Sequence, residues 1–535
     1  MAEESKDPAK QPSVVQNEES EAEEVIDSKV EDSAALADPS APSLKKKIKK
    51  KLKKASGGAS SESGSGSQLS TRAVGELLEK NPQLQDQIGG MDKAKALEML
   101  KKMDLGELLT GMSLNGKNQK DMSNHKFWAT QPVRRFDDKA DAESGPISVI
   151  KPEEVRKEPY GLPKGYEWCT LDLEKENEVK ELYELLTFHY VEDDNAMFRF
   201  KYSQSFLNWA LRSPGWKREW HVGVRTSESK KLVASICGVP TRLRVRNDVV
   251  PVTEINFLCI HKRLRSQRLA PMLIREVTRR CYLEGIYQAV YTAGVVLPTP
   301  VSSCRYYHRS LDWLKLYEVG FSPLPPNSTK ARMISRNQLP GNTSTPGLRP
   351  MEKKDVTSVL DLLNRFLERY EFAQELTADE IEHWLVNAEK PEDQVVYSFV
   401  VEQDGKITDF TSFYSLESSV IKKEKYESVK AAYLFYYASE SVFKDGPGAE
   451  KQYKERLTTL MQDALIEAKR AKFDVFNALT LHDNPLFLEQ LKFGAGDGML
   501  HYYLYNYRTP PIVGGINERN LPDEKKMGGV GMVLL

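Results

Sequence analysis

Two hydrophobic rhythms alternate along this chain from about residue 165 onward, one of period two and one of helical period, and their order is run through twice. In the first pass Glu167-Trp168-Cys169-Thr170-Leu171 has the composition of a strand, and Glu176 to Leu186 places apolar residues at helical spacing. In the second, Leu348-Arg349-Pro350-Met351 leads into a helix over Val356 to Leu367. Each pass then predicts two strands: Lys231 to Val239 and Thr241 to Val245 in one, Val395 to Glu402 and Ile407 to Leu416 in the other. A more hydrophobic strand follows (Val252 to Ile260; Ala431 to Tyr437), then a long helix (Pro271 to Glu284; Lys454 to Ala471) and a β-rich strand (Tyr287 to Thr292; Asp474 to Leu479). This order predicts an α/β (α+β) protein of two similar units joined through one continuous mixed sheet.

The passes differ between the hydrophobic strand and the long helix. In the first, Glu254-Ile255-Asn256-Phe257-Leu258-Cys259-Ile260-His261 runs at once into Arg265-Ser266-Gln267-Arg268-Leu269-Ala270-Pro271, an apolar strand delivering a basic loop into an amphipathic helix. The loop reads R-x-x-R-x-A and is similar to the Q/R-x-x-G-x-G/A pyrophosphate loop of the N-acetyltransferase superfamily, where helix N-terminal amides face the phosphates. Arg265 and Arg268 would add charge-assisted bonds, the alternative being a solvated arginine pair. The second pass has Ser439-Glu440-Ser441 and the acidic run Lys444-Asp445-Gly446-Pro447-Gly448 instead, which would repel a pyrophosphate. CoA is therefore expected in the first half, and a peptide platform in the second.

Composition narrows the class further. The chain has 535 residues, 40% hydrophobic and 29% charged, which suits a large core and more than one folding unit. No stretch approaches the roughly 20 apolar residues of a membrane span, and MAEESKDPAK has no apolar signal region. The five cysteines are scattered without C-x-x-C spacing, which favours a reducing, cytoplasmic setting over a disulfide framework or a zinc site. H-E-x-x-H, Walker and Rossmann patterns are missing, so no metal is indicated.

The net charge of -1 hides a polarised front, because residues 1–40 carry twelve acidic residues against three lysines and Lys45 to Lys54 holds eight lysines in ten positions. With almost no aromatic residues this region is expected to be disordered, while VGELLEK and KALEMLKKM between residues 70 and 110 have helical spacing. The expected division is therefore 1–110 (tail and tethering helices), 111–340 (acyl-CoA-binding half) and 341–535 (peptide-binding half).

The segment EINFLCIHKRLRSQRLAPMLIREVTRR, together with Lys492-Phe493-Gly494-Ala495-Gly496-Asp497-Gly498, resembles the signature of eukaryotic N-myristoyltransferases. The resemblance runs from Phe127-Trp128-Ala129-Thr130-Gln131-Pro132-Val133 through Tyr190-Val191-Glu192-Asp193-Asp194 and Tyr291-Thr292-Ala293-Gly294-Val295-Val296 to Leu535, so it covers roughly residues 120–535. It implies transfer of tetradecanoyl from its CoA thioester, as co-substrate, to an N-terminal glycine by direct attack. The oxyanion hole is then the Phe257 and Leu258 amides, with Asn256 and Thr292 beside the amine and the terminal carboxylate of Leu535 as base. The apolar, glycine-rich end Gly528 to Leu535 suits burial of that carboxylate.

Acyl-CoA contacts implied in the same way are Lys126, Phe127 and Trp128 on the N-terminal arm and Phe257, Leu258, Cys259 and Ile260 on the strand. The loop adds Arg265, Ser266, Gln267, Arg268, Leu269 and Ala270. The implied peptide groove takes Tyr190, Phe198, Phe200, Tyr202 and Tyr306, with His308 facing a substrate serine. Ser412 and Tyr433 complete it, while Asp193 and Asp194 attract basic substrate residues. Thr480 departs from forms of the family with an acidic residue there, which puts one contact to a basic side chain in doubt. The tract Lys45 to Lys54 could contact ribosomal RNA, acidic lipid or nothing specific, and the resemblance favours ribosome attachment; a monomer is expected.

From the residues alone, several of these positions have plainer readings. Asn256 and Thr292 could be satisfied core polar groups, Phe198 and Phe200 ordinary core, and Asp193 and Asp194 a solvated pair. Cys259, with His261 on the same strand face, is expected to be an inert core thiol and not a nucleophile. Other CoA-dependent N-acyltransfer, a non-catalytic reader of N-terminal glycine, and an RNA-binding protein built on the lysine tract are the rival functions.

Overall fold

The computed structural model describes Met122 and residues 125–139, 143–191, 197–421 and 425–535. The acidic and lysine-rich segments, the helices expected between residues 70 and 110, and Asp193 and Asp194 lie outside the described residues.

Fourteen strands among the described residues form one mixed sheet. The first half supplies β1 (Tyr166–Thr170), β2 (Phe198–Lys201), β3 (His221–Thr226), β4 (Leu232–Val245), β5 (Asp248–Ile260), β6 (Ala289–Ala293) and β7 (Ser302–Ser310). The second supplies β8 (Leu348–Pro350), β9 (Phe372–Gln374), β10 (Val396–Gln403), β11 (Lys406–Val420), β12 (Ser428–Ser439), β13 (Val475–Leu479) and β14 (Gly494–Tyr505). Along the sheet the order is β1-β3-β4-β5-β6-β14-β7-β13-β12-β11-β10-β8. It reads the same from either end once each strand is exchanged for the one seven later, so the repeated pattern of the sequence is a repeated topology. The short strands obey the same exchange reciprocally: β2 of the first half pairs with β11 of the second, and β9 of the second pairs with β4 of the first.

Only β5/β6 and β12/β13 among these pairs are parallel. A parallel neighbour requires a crossover, here, after the helices α1 (Glu176–His189) and α2 (Gln204–Leu211), the helices α3 (Leu269–Leu283) and α5 (Ala449–Arg470). Helix α3 turns Leu269, Ala270, Leu273, Ile274, Val277 and Cys281 inward at helical spacing. Helix α4 (Val356–Leu367) does the same with Val356, Val359, Leu362, Leu363, Phe366 and Leu367. The expected break at Pro240 does not occur, and Leu232–Val245 is one strand. On the edge of β4 that pairs with β3 as far as Cys237 and with β9 from Leu243, Pro240 falls between the two partners, where a missing N–H is tolerated.

Both parallel pairs are short in register, Thr253–Glu254 against Ala289–Val290 and Ala431–Tyr433 against Val475–Asn477, and the strands then diverge. The divergence of β5 and β6 opens the cavity described next. Among the described residues no helix is long and apolar enough to cross a membrane.

Candidate functional site

A cavity of about 140 Å³ lies where β5 and β6 separate. Its lining includes the apolar side chains of Ile255, Ile274, Val277, Cys281 and Leu297 beside Trp128. It also includes the tyrosines Tyr190, Tyr202, Tyr306, Tyr414 and Tyr433 with Phe200. Asn256, Phe257, Leu258, Thr292 and Leu535 line the same cavity, so the structure brings together all five residues expected at the reacting centre.

The Phe257–Leu258 part of the lining is built by an interruption of the β5 ladder. Ser235 pairs with Cys259 and Cys237 with Asn256, so Phe257 and Leu258 together face the single residue Ile236. Such a bulge bends the strand and re-aims its peptide groups. Phe257 carries it with a left-handed φ of 55°, uncommon for a bulky residue. Ser235 Oγ donates to the Phe257 carbonyl at 3.2 Å. The Tyr190 ring, on the cavity wall, lies 6.1 Å from the Phe257 ring.

The C-terminal segment enters the same space, and most of its residues are tied down. The carbonyls of Gly528 and Gly529 accept from the amides of Glu371 and Phe372, and the Gly531 amide donates back to Phe372 at 2.7 Å. The Val530 carbonyl accepts from the His482 amide at 2.9 Å and the Met532 carbonyl from the Tyr502 hydroxyl at 3.1 Å. The Val533 amide donates to the Tyr436 hydroxyl at 3.2 Å, and Leu535 shares the lining of a small pocket with Glu254. Close approach, not flexibility, explains the glycines: a Cβ at Gly529 would stand 1.9 Å from the Val513 carbonyl oxygen, and one at Gly531 2.8 Å from Tyr370.

Glu254 is the residue that sequence reasoning missed. A lone carboxyl in the apolar run Val252 to Ile260 was the available signal. It is 5% exposed, accepts from Asn256 Nδ2 at 2.8 Å and lines a small pocket with Leu535, so it stands beside two of the residues at the reacting centre. Burial pushes its pKa from 4.5 up to about 7. Because the folded value lies above the unfolded one, the protonated form favours folding, and that contribution is lost as pH rises from 4.5 through about 7. Glu254→Gln is therefore expected to gain about 3 kcal/mol relative to the parent between pH 4.5 and 8, read by chemical denaturation at both pH values. A pH-independent difference would mean that the carboxyl is not buried in its charged state.

The phosphate-loop residues form a short 3-10 turn, Lys262–Gln267, followed by Arg268 with a left-handed φ of 57° at the start of α3. No side chain caps this helix, which leaves its first-turn amides to water or an anion. Leu269 and Ala270 are buried beneath the loop, Arg265 Nη2 donates to the His189 carbonyl at 2.6 Å, and Gln267 accepts from the Tyr166 hydroxyl at 3.2 Å. On the N-terminal arm Lys126 is exposed, while Phe127 and Trp128 are buried. Trp128 stacks on Tyr291 at 5.7 Å and lines the cavity, and the Arg275 guanidinium lies over Phe127. Ile260 is core, and Cys259, buried beside it, donates from Sγ to the Leu185 carbonyl at 3.8 Å, as an inert thiol does.

Phe198, His308 and Ser412 stand off the cavity wall. Phe198 packs edge-on against Phe321 in the core. His308 Nδ1 is 2.7 Å from Asn477 Oδ1, and Gly496 lies against its ring. Ser412 is fully buried, its hydroxyl donating to the Tyr436 carbonyl at 2.7 Å and accepting from the Tyr436 amide at 3.1 Å. Thr480 is equally occupied, donating to the Gly514 carbonyl and accepting from the Arg305 amide. Among the described residues no group of His, Cys, Asp or Glu side chains could hold a metal ion.

Sequence comparison agrees with this geometry. Residues 146–304 match the N-terminal domain of myristoyl-CoA:protein N-myristoyltransferase and residues 318–533 its C-terminal domain. The chain is 66% identical over 484 residues to the glycylpeptide N-tetradecanoyltransferase of Aspergillus fumigatus, covering 89% of this chain and 97% of that one. With the Saccharomyces cerevisiae enzyme of the same name it shares 50% identity over 453 residues, 83% of this chain and 99% of that one. The crystal structure of Saccharomyces cerevisiae N-myristoyltransferase with bound myristoyl-CoA superposes with a TM-score of 0.74 at 49% identity, covering 76% of this chain and 99% of that chain. On two family domains that between them span most of the sequence, and on relatives matched over nearly their whole length, this chain belongs to the myristoyl-CoA:protein N-myristoyltransferase family.

Proposed function

We propose that the chain transfers tetradecanoyl from myristoyl-CoA to the α-amine of an N-terminal glycine, with no enzyme-bound acyl intermediate. The observation that carries this reading is one cavity lined at once by apolar side chains, by a group of tyrosines, by an amide bulge and by Leu535. The acyl chain takes the apolar lining and the peptide the tyrosines, so carbonyl and amine meet beside Asn256 and Thr292. The Leu535 carboxylate takes one proton from the glycine ammonium, and the neutral nitrogen attacks the thioester carbon. The Phe257 and Leu258 amides hold the resulting oxyanion. Collapse breaks the C–S bond, and the second nitrogen proton neutralises the departing thiolate.

The division of labour is acyl-CoA on residues 111–340, through Lys126 to Trp128 and the Arg265–Ala270 loop, and peptide on residues 341–535 with the tyrosines of the first half. Asp193 and Asp194 favour basic residues downstream of the glycine, and Lys45 to Lys54 attaches a monomeric, cytoplasmic enzyme to the ribosome. The test is a panel of acyl-CoAs with a peptide beginning Gly-x-x-x-Ser and its Ala-first counterpart, analysed by mass spectrometry. Transfer of tetradecanoyl to the Gly peptide alone is expected. Equal transfer to both peptides, or a preference for acetyl, would overturn the assignment.

A further inference from the structure

The symmetry of the sheet gives the cavity a counterpart in the second half. There β12 and β13 also diverge beyond a short parallel register, and the bulge is repeated: Thr411 pairs with Tyr437 and Phe413 with Leu434, leaving Phe435 and Tyr436 opposite Ser412 as Phe257 and Leu258 stand opposite Ile236. The second bulge is closed to substrate, because the Ser412 hydroxyl already takes both the amide and the carbonyl of Tyr436. The C-terminal segment lies across this second divergence. It is held from β12 by the Tyr436 hydroxyl, from the continuation of β13 by His482, and from β9 by the backbone of Phe372.

His482 makes the most specific of these contacts. Its amide donates to the Val530 carbonyl and its ring Nε2 to the next carbonyl, that of Gly531, both at 2.9 Å. Since a carbonyl can only accept, Nε2 carries the proton and the imidazole is held as one tautomer. The residue is 2% exposed, with the rings of Tyr370, Tyr436 and Tyr437 around it at 5.4 to 5.7 Å. It has a left-handed φ of 53°, and its neighbour Asp483 is anchored by Arg369 Nη1 at 2.8 Å and the Tyr453 hydroxyl at 2.6 Å. A slip of the segment by one residue would cost both bonds and drive a side chain into Tyr370, where only the hydrogen of Gly531 fits.

We propose that the second half retains a ligand cleft whose resident ligand is the chain's own segment Val530–Leu535, and that His482 is the positioning residue that fixes its register and hence the placement of the Leu535 carboxylate. The kinetic part of this inference rests on the carboxylate acting as the base, whereas the clamp itself rests only on the contacts above.

The experiment compares the full-length protein with His482→Phe, which keeps an aromatic ring but has no N–H, and with His482→Gln, whose amide can again reach the Gly531 carbonyl. Release of leucine by carboxypeptidase reports opening of the segment, alongside kcat, peptide KM and myristoyl-CoA affinity. His482→Phe should be trimmed about tenfold faster, the scale of one buried hydrogen bond, with kcat lowered and myristoyl-CoA affinity retained. His482→Gln should recover both protection and kcat. A folded His482→Phe protein trimmed no faster than the parent would overturn the clamp. Faster trimming with full kcat would support the clamp and overturn the carboxylate as base. If His482→Phe does not fold, His482→Met against His482→Gln makes the same comparison, and equal protection in those two would also overturn the proposal.

Discussion

Appending a few residues to Leu535 is expected to lower kcat by at least ~100-fold, the usual scale for a general base, with myristoyl-CoA affinity largely kept. A free carboxylate with a pKa of about 3.5 is a poor acceptor for an α-ammonium of about 8. Leu535 shares the cavity with apolar side chains, and Met532, Val533 and Leu534 behind it are buried, so an amine that reaches it is desolvated and its pKa falls toward that of the acceptor. Leu535→Ala should cost far less than an extension, because it moves a side chain and leaves the carboxylate in place. Full kcat in an extended enzyme would place the base elsewhere.

The second large effect is expected from Phe257→Val. The bulge needs a left-handed residue, and a β-branched side chain is strained at a φ of 55° by roughly 1–3 kcal/mol. Relaxation to regular pairing would turn the Phe257 and Leu258 amides out of the cavity. Loss of one oxyanion donor costs about 100- to 1,000-fold in kcat, so kcat should fall on that scale with peptide KM little changed. Phe257→Leu has an unbranched Cβ and keeps the bulge, at the expense of the contacts of Phe257 with Tyr190 and Tyr202, and should remain within about tenfold of the parent. Comparable losses in the Val and Leu variants would show that the ring matters and the backbone does not.

How much of this was readable beforehand depended on whether hydrophobic pattern or backbone geometry carried the information. The repeated elements were legible because β5, β12, α3 and α4 present continuous or periodic apolar residues. Strand β7 was not, since Ser302-Ser303-Cys304-Arg305-Tyr306-Tyr307-His308-Arg309-Ser310 is mostly polar and buries even Arg309, whose guanidinium is spent on the carbonyls of Leu491, Ser310 and Asn337. Strand β14 begins in Gly494 to Gly498, a turn-like composition that forms a bulge against β7. Leu535 and Phe257 emerged from resemblance, and their surroundings explain why pattern alone was silent: a bulge leaves no periodic trace, and the partners of the C-terminal segment, Phe372, Tyr436, His482 and Tyr502, come from four separate stretches of chain. Glu254 stood in plain view but reads as an interruption until its neighbours Asn256 and Leu535 are known.

The reciprocal strand exchange bears on how the molecule comes into being. When β4 has been synthesised, its stretch destined for Phe372–Gln374 is still an open edge, and roughly 130 further residues must follow before that partner arrives. An uncovered edge of this kind invites pairing with other chains. Neither half can finish its sheet alone, so the halves should melt as one cooperative unit and aggregate when expressed separately. Contacts so distant in sequence also make folding slow, and the nascent first half is then the species for which a holding chaperone matters most.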